Sequence, residues 1–304
     1  MNIVITGGTG YIGSSLIPLL LREGHRTTVL TRYPEMYPLA PEVARVRWDG
    51  ITQGDWSVQV QNADAVINLA GESIGGGRWT LSRKQRLVSS RINATRALLE
   101  AIRNGEKKPS IFVSSSAVGY YGPVDSGEVT EDHAPGRGFL ADLCLRWEQE
   151  ASAVGELGPR VVILRTGVVV GEKGGALARM ILPFRLYAGG PIGSGRQWFP
   201  WVHREDVAGV IAFSLAQKTL AGPVNVVAPE SVDMKAFCAA LGAALSRPSW
   251  LPVPAFALRA ALGEMAGMIL TGQRVVPARL MSLGYQFKYP SLAPALASAL
   301  SPGL

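Results

Sequence analysis

Short apolar runs alternate along this chain with longer stretches in which apolar residues return every three or four positions. The runs predict strands near Asn2–Thr6, Thr27–Thr31, Arg45–Trp48, Ala65–Leu69, Ser110–Ser115 and Val161–Thr166. The periodic stretches predict helices near Tyr11–Glu23, Thr80–Arg103 and Leu140–Gly155. In the second of these, Leu87, Ile92, Ala94, Leu98, Leu99 and Ile102 mark one helical face. Strands alternating with helices predict an α/β fold with a Rossmann-type doubly wound parallel sheet. Beyond Gly171 glycine and proline become dense. A helix near Arg204–Gln217 and a strand near Val224–Val227 are expected to return to the first body. The predicted organisation is therefore a Rossmann-type domain over 1–170, its core completed by about 197–228. A smaller mixed C-terminal substrate lobe takes 171–196 and 229–304, with a buried helix over Val253–Leu270.

The first strand runs straight into Thr6-Gly7-Gly8-Thr9-Gly10-Tyr11-Ile12-Gly13, and an apolar helix follows. Glycines at 7, 10 and 13 have the spacing of a phosphate-binding turn. Gly7 lets the chain turn tightly, Gly10 lets backbone N–H groups approach a pyrophosphate, and Gly13 lets the helix pack closely. Thr9, Tyr11 and Ile12 belong to the same cradle, whose anion sits on the positive end of the helix.

The 304 residues are 47% apolar, ample for a core, and carry a net charge of +7. Lys and Arg are scattered, with no run longer than Lys107-Lys108, which argues against nucleic acid as a partner. Cys144 and Cys238 have no metal or redox spacing, and His25, His133 and His203 are dispersed, so no metal site is expected. No uncharged apolar run reaches the length of a membrane span and the first residues read as a strand, not a signal. A cytoplasmic protein with no membrane partner is the expectation.

Four further segments extend the pattern of the glycine turn. They are Val66–Gly71, Ile92–Glu100, Val113–Gly122 and Leu164–Gly171, with Trp201–Ala208 re-entering the core. With these the chain resembles the extended short-chain dehydrogenase/reductase superfamily over nearly its whole length. The stretches Gly189–Trp201 and Pro223–Pro229 resemble more narrowly an atypical subfamily of "epimerase family" proteins. The resemblance implies NAD(P) binding, with contacts at Leu69, Ala70, Gly71, Ser114 and Ser115. It also places Arg91 near the cofactor phosphates, Val169 near the nicotinamide, and implies a homodimer as a common state.

In NAD-selective folds a carboxylate about 20 residues beyond the glycines binds the ribose 2′-hydroxyl. Here the second strand ends in Thr31-Arg32, with no carboxylate there. A guanidinium holds a 2′-phosphate with paired, charge-assisted hydrogen bonds, so NADP(H) is expected, with Thr31 as a further donor.

Reductases of the resembled superfamily use a serine, a tyrosine and a lysine four residues after the tyrosine. Ser116 matches the serine; none of the eight tyrosines has a lysine four residues on. Anchored on Glu148, the helix places Leu140 and Cys144 at the tyrosine and lysine positions; a two-residue shift offers Asp142 and Arg146 instead, and neither restores a phenol beside an ammonium. Three readings stay open: another proton donor (Tyr120, Tyr121 or His203), a silent NADP(H)-binding regulator or scaffold, or hydride transfer with a proton from water. In the second lobe, Arg185, Arg196 and Arg204 are expected to meet an anionic substrate such as a nucleotide sugar. Trp198, Phe199 and Trp201 are expected to stack on a ring, and Gly189–Gly195 to move as a lid. The expected function is an NADP(H)-binding oxidoreductase or nucleotide-sugar-epimerase-like enzyme acting on a small molecule.

Overall fold

The computed structural model describes residues 1–36, 38–172 and 174–301. The last residues of the expected second lobe, 302–304, lie outside the described residues.

The first body is built in chain order from β1 (Asn2–Thr6), α1 (Gly13–Arg22), β2 (Arg26–Thr31), β3 (Ala44–Arg47), α2 (Ser57–Gln61) and β4 (Ala65–Asn68). There follow α3 (Leu81–Asn104), β5 (Ile111–Ala117), β6 (Glu128–Val129), α4 (Phe139–Ser152), β7 (Arg160–Thr166) and β8 (Val168–Val170). The expected strands and helices of this half stand within a few residues of their predicted limits. Every residue of β4 is buried, as is nearly all of β1. A strand covered on both faces has no polar side to show, which is why these read as unbroken apolar runs.

The rest of the chain forms α5 (Leu177–Arg185), β9 (Trp198–Phe199), β10 (Trp201–His203), α6 (Arg204–Ala216), β11 (Gly222–Val226), β12 (Val232–Asp233) and α7 (Met234–Leu245). It ends with α8 (Ala255–Leu262), α9 (Gly267–Leu270), β13 (Arg274–Val275), α10 (Ala278–Ser282) and α11 (Leu292–Leu300).

The main sheet has seven strands in the order β11-β7-β5-β4-β1-β2-β3, all pairs parallel. The strand order reverses at β1, whose neighbours are β2 and β4. Such a switch point opens a crevice at the carboxyl ends of the strands, where this fold class takes its ligand. One apolar layer, with Leu16, Leu20, Ile211 and Val224, covers one face of the sheet. A second, with Trp48, Leu98, Ile102 and Phe112, covers the other.

The smaller lobe has its own core around Phe184, Phe199, Trp201, Phe237 and Leu296. The C-terminal stretch does not stay in it. β13 pairs with β6, and Leu280 of α10 is buried in the layer under the main sheet. Residues 285–289 then bind α6, where the Asp206 carboxylate accepts from the amides of Lys288 and Tyr289 at 2.6 and 3.0 Å.

The expected buried helix over Val253–Leu270 is a correction. Pro254 and the glycines at 263 and 267 divide it into α8, a 3-10 turn and α9, and α8 buries none of its side chains. The Gly189–Gly195 stretch, expected to move as a lid, is anchored at its two ends. Its backbone is tied on both sides, with the amides of Trp250 and Leu251 donating to Gly189 and that of Lys235 to Gly195.

Candidate active site

The glycine turn lies at the switch point. Gly7 has φ +66°, and a Cβ there would stand 2.5 Å from the carbonyl oxygen of Leu69, so only glycine fits. That approach sets Leu69 and Ala70 beside the turn, with the Leu69 amide donating to Thr6. A Cβ at Gly13 would stand 2.1 Å from the oxygen of Gly8, the close helix packing expected of the third glycine. At Gly10 the amide donates to Gly7 at 2.9 Å, which closes the turn. No side chain caps α1, and its first turn holds no carboxylate. Its N-terminal partial charge is therefore left for an anion, with Thr9, Tyr11 and Ile12 half-buried at the rim. These features fit a dinucleotide pyrophosphate.

A buried polar chain braces the crevice floor, and sequence reading missed it. Thr6 donates to Asn68 at 2.7 Å, and Asn68 donates to Thr95 of α3 at 3.0 Å. Thr95 also accepts from the Trp147 indole of α4 at 3.2 Å.

The Tyr11 ring lies under the chain at Gly174 and Gly175, where an added Cβ would stand 2.9 Å from it. The Arg204 guanidinium is 5.1 Å from that ring's centre. Burial pushes the Tyr11 phenol up to about 12, against the pull of Arg204.

At the end of β2, Thr31 is buried and Arg32 is exposed. Among the described residues, no carboxylate pairs with Arg32. The Thr31 hydroxyl accepts weakly from the Tyr33 amide at 3.4 Å. Arg47 is the register partner of Thr31 and brings a second guanidinium to this edge. Its place follows from strand pairing, which no local motif announces.

Arg91 is buried and props the backbone after β4 from behind. It donates to the carbonyls of Leu87 and Glu72, both at 3.0 Å, and a Cβ at Gly71 would stand 3.0 Å from its guanidinium carbon. Burial lowers its pKa to about 10. Ser114 is buried, with its hydroxyl on the Ser115 carbonyl at 3.3 Å. Val169 of β8 pairs with Val202 of β10 and is half-buried.

The missing tyrosine–lysine pair is replaced by packing. A Cβ at Gly119 would stand 3.2 Å from Leu140 Cβ and 3.9 Å from Cys144 Sγ. Burial pushes the Cys144 thiol up to about 11, which suits an inert packing thiol.

Behind it lies a buried ionic network. Ser116 donates to Glu148 at 2.6 Å. Arg165 binds the same carboxylate through Nε and Nη2 at 3.0 and 2.8 Å. Arg165 also donates to the Tyr121 hydroxyl at 3.0 Å, and Tyr121 donates to the Asn225 side-chain oxygen at 2.6 Å. The Asn225 amide donates to Glu131 at 3.0 Å. The Arg165 guanidinium lies 3.5 Å from the centre of the Tyr120 ring. Burial pushes the Tyr121 phenol up to about 12, and Arg165 works against this.

The structure thus brings Ser116, Tyr120 and Tyr121 together, but in the core. The Ser116 hydroxyl donates to Glu148 and the Tyr121 hydroxyl to Asn225, both buried acceptors. Tyr120 is held by its ring face on Arg165.

His203, the third candidate donor, is buried. Its Nδ1 accepts from the Glu205 amide at 3.3 Å, so the neutral ring carries hydrogen on Nε2. Burial lowers its pKa to about 4. The expected aromatic wall is corrected too. Trp201 is buried with its indole on the Glu230 carbonyl at 3.0 Å, and Phe199 packs 4.2 Å from Phe237. Both are core residues, and Trp198 alone is half-buried, beneath Arg274.

A parallel sheet with a glycine turn at its switch point defines a dinucleotide-binding type of α/β protein. The chain belongs to the NAD dependent epimerase/dehydratase family, whose model matches residues 3–227. A domain of unknown function (DUF1731) matches residues 253–299. Epimerase family protein YfhF of Bacillus subtilis is 42% identical over 303 residues, covering 99% of this chain and 98% of the relative. The crystal structure of human epimerase family protein SDR39U1 with NADPH superposes with a TM-score of 0.89 at 37% identity, over 98% of this chain and 99% of that one. UDP-glucuronic acid 4-epimerase of Bacillus cereus, with UDP-glucuronic acid and NAD, is alike in fold alone: TM-score 0.79 at 22% identity, over 98% of each chain. Among the described residues no cluster of metal-ligating side chains occurs, and no helix is long and apolar enough to cross a membrane.

Proposed function

We propose that this chain binds NADP(H) and acts as an oxidoreductase or epimerase-like enzyme on a small anionic molecule or nucleotide sugar. The observation that carries the reading is the Gly7–Gly13 turn, closed on Leu69 and opening onto an uncapped helix with no carboxylate in its first turn. Gly10, Tyr11, Ile12 and Gly13 would hold the pyrophosphate; Arg32 and Thr31, with Arg47 nearby, would hold the ribose 2′-phosphate. Leu69, Ala70 and Gly71 would flank the adenine ribose, with Arg91 fixing their backbone. Ser114, Ser115 and Val169 would line the nicotinamide end. The cofactor supplies hydride chemistry there. In this reading Tyr120 or water supplies the proton, because Ser116 and Tyr121 are bonded to buried acceptors and His203 is neutral at pH 7.

A second reading is a silent NADP(H)-binding regulator or scaffold. It is favoured by the absence of any tyrosine with a lysine four residues on. Titration with NADPH and NADH by fluorescence tests binding; absorbance of bound NADPH over a panel of carbonyl compounds and nucleotide sugars tests turnover. Tight NADPH binding with oxidation establishes the enzyme. Tight binding without oxidation across the panel favours the regulator, and tighter NADH overturns the cofactor choice.

A further inference from the structure

Large apolar side chains stand uncovered on two joined segments of the smaller lobe. Leu182, Leu186 and Tyr187 lie at the end of α5; Trp250, Leu251 and Phe256 lead into and begin α8. Leu186 is 67% exposed, Trp250 64% and Phe256 75%, so no part of the described chain covers them. The two segments are joined: the Trp250 indole donates to the Tyr187 carbonyl at 3.0 Å, and the Leu251 amide to that of Gly189 at 3.1 Å. Val253 then bridges to Ile192 at the foot of α8. Such a joined patch marks a contact surface rather than scattered exposure.

Its charge selects the partner. No carboxylate occurs between Glu172 and Glu205, nor between Asp233 and Glu264. The cations in these segments include Arg185 and Arg259, both exposed, and Arg247, whose guanidinium lies 4.5 Å from the centre of the Tyr187 ring. None of the three has an ion-pair partner among the described residues. A second copy of this chain would set arginine against arginine. An anionic lipid surface meets both features, taking aromatic and aliphatic side chains at the headgroup boundary and arginines at its phosphates.

We infer that this face docks the protein peripherally on anionic membranes. The side chains that enter the boundary are Trp250, Phe256 and Leu186, and the arginines give charge selectivity. Docking needs no spanning helix, and it does not depend on the cofactor reading.

The test is sedimentation of the whole chain with phosphatidylcholine vesicles that carry or lack phosphatidylglycerol. Binding to the anionic vesicles alone, weakened by added salt, is expected. The double variant Trp250→Ser/Phe256→Ser lowers the partition about tenfold or more. The triple variant Arg185→Gln/Arg247→Gln/Arg259→Gln lowers it by about a hundredfold. Unchanged thermal melting shows that both variants fold. No binding to anionic vesicles overturns the inference, as do folded variants that bind like the parent. A dimer in light scattering that the Trp250→Ser/Phe256→Ser variant breaks also overturns it, assigning the face to a second copy.

Discussion

Ser116 gives its hydroxyl hydrogen to Glu148 across 2.6 Å, inside the core. A serine that polarises a substrate carbonyl must donate to it, and this hydrogen is spent. Ser116→Ala is therefore expected to cost about 1–2 kcal/mol of stability, through the lost bond to a buried carboxylate. NADPH affinity should stay the same. Urea unfolding and fluorescence titration check the two halves. A tenfold fall in NADPH oxidation at unchanged stability would return Ser116 to the reacting centre.

Glu148 and Arg165 form a buried pair, with side chains 9% and 4% exposed. Burying two charges is costly, and their bonds to Ser116 and Tyr121 help satisfy them. Removing one partner leaves the other charge stranded. Glu148→Leu and Arg165→Met are each expected to lose about 3–5 kcal/mol. The double variant Glu148→Leu/Arg165→Met should be more stable than either single variant. Denaturant melts of all three decide it; additive losses would mean that the two side chains do not interact.

Arg32 stands exposed and unpaired among the described residues at the end of β2, where an NAD-selective fold carries an acid. Arg32→Glu should weaken NADPH binding by about tenfold to a hundredfold, the value of one or two charge-assisted bonds. NADH, which lacks the 2′-phosphate, should change far less. Parallel titrations test this. An equal loss for both nucleotides would place Arg32 outside the 2′-phosphate site. Arg47→Ala, on the neighbouring strand, should show a smaller loss of the same selectivity.

The centre of the main sheet was legible because β1 and β4 are covered on both faces and read as unbroken apolar runs. The glycine turn was legible because its spacing is local and Gly13 meets Gly8 within one strand–turn–helix unit; the approach of Gly7 to Leu69, across the sheet, was not. The ionic network was not legible. Ser116, Glu131, Glu148, Arg165 and Asn225 come from separate segments and share no period. Only the folded sheet aligns Ser116 with Arg165, as register partners of β5 and β7. The smaller lobe misled for a related reason. Trp201 and Phe199 are aromatic whether they line a cleft or fill a core, and their neighbours Phe237 and Val232 lie more than one element away. Val253–Leu270 reads as apolar, yet its proline and glycines break it, and only Met265 and Ala266 of the 3-10 turn are buried while α8 buries no side chain. The missing tyrosine–lysine pair was visible in sequence; that leucine and a buried thiol pack there became visible only in the fold.

His203 links the re-entrant segment to the C-terminal stretch, its ring centre 4.0 Å from that of Tyr289. Burial lowers its pKa from 6.5 to about 4. The folded chain therefore keeps this ring neutral at pH values where the unfolded chain protonates it. Between those two values the unfolded state binds more protons, so stability falls as the pH is lowered through the window. Above pH 6.5 the contribution is fully present and flat. His203→Asn keeps an acceptor for the Glu205 amide but does not titrate. Thermal melts of both proteins across the window, compared as a difference, cancel the carboxylates they share, including Asp206 nearby. The parent should lose stability on acidification more steeply than the variant. Parallel curves would mean that His203 titrates alike folded and unfolded, and that its ring is open to protons in the folded state.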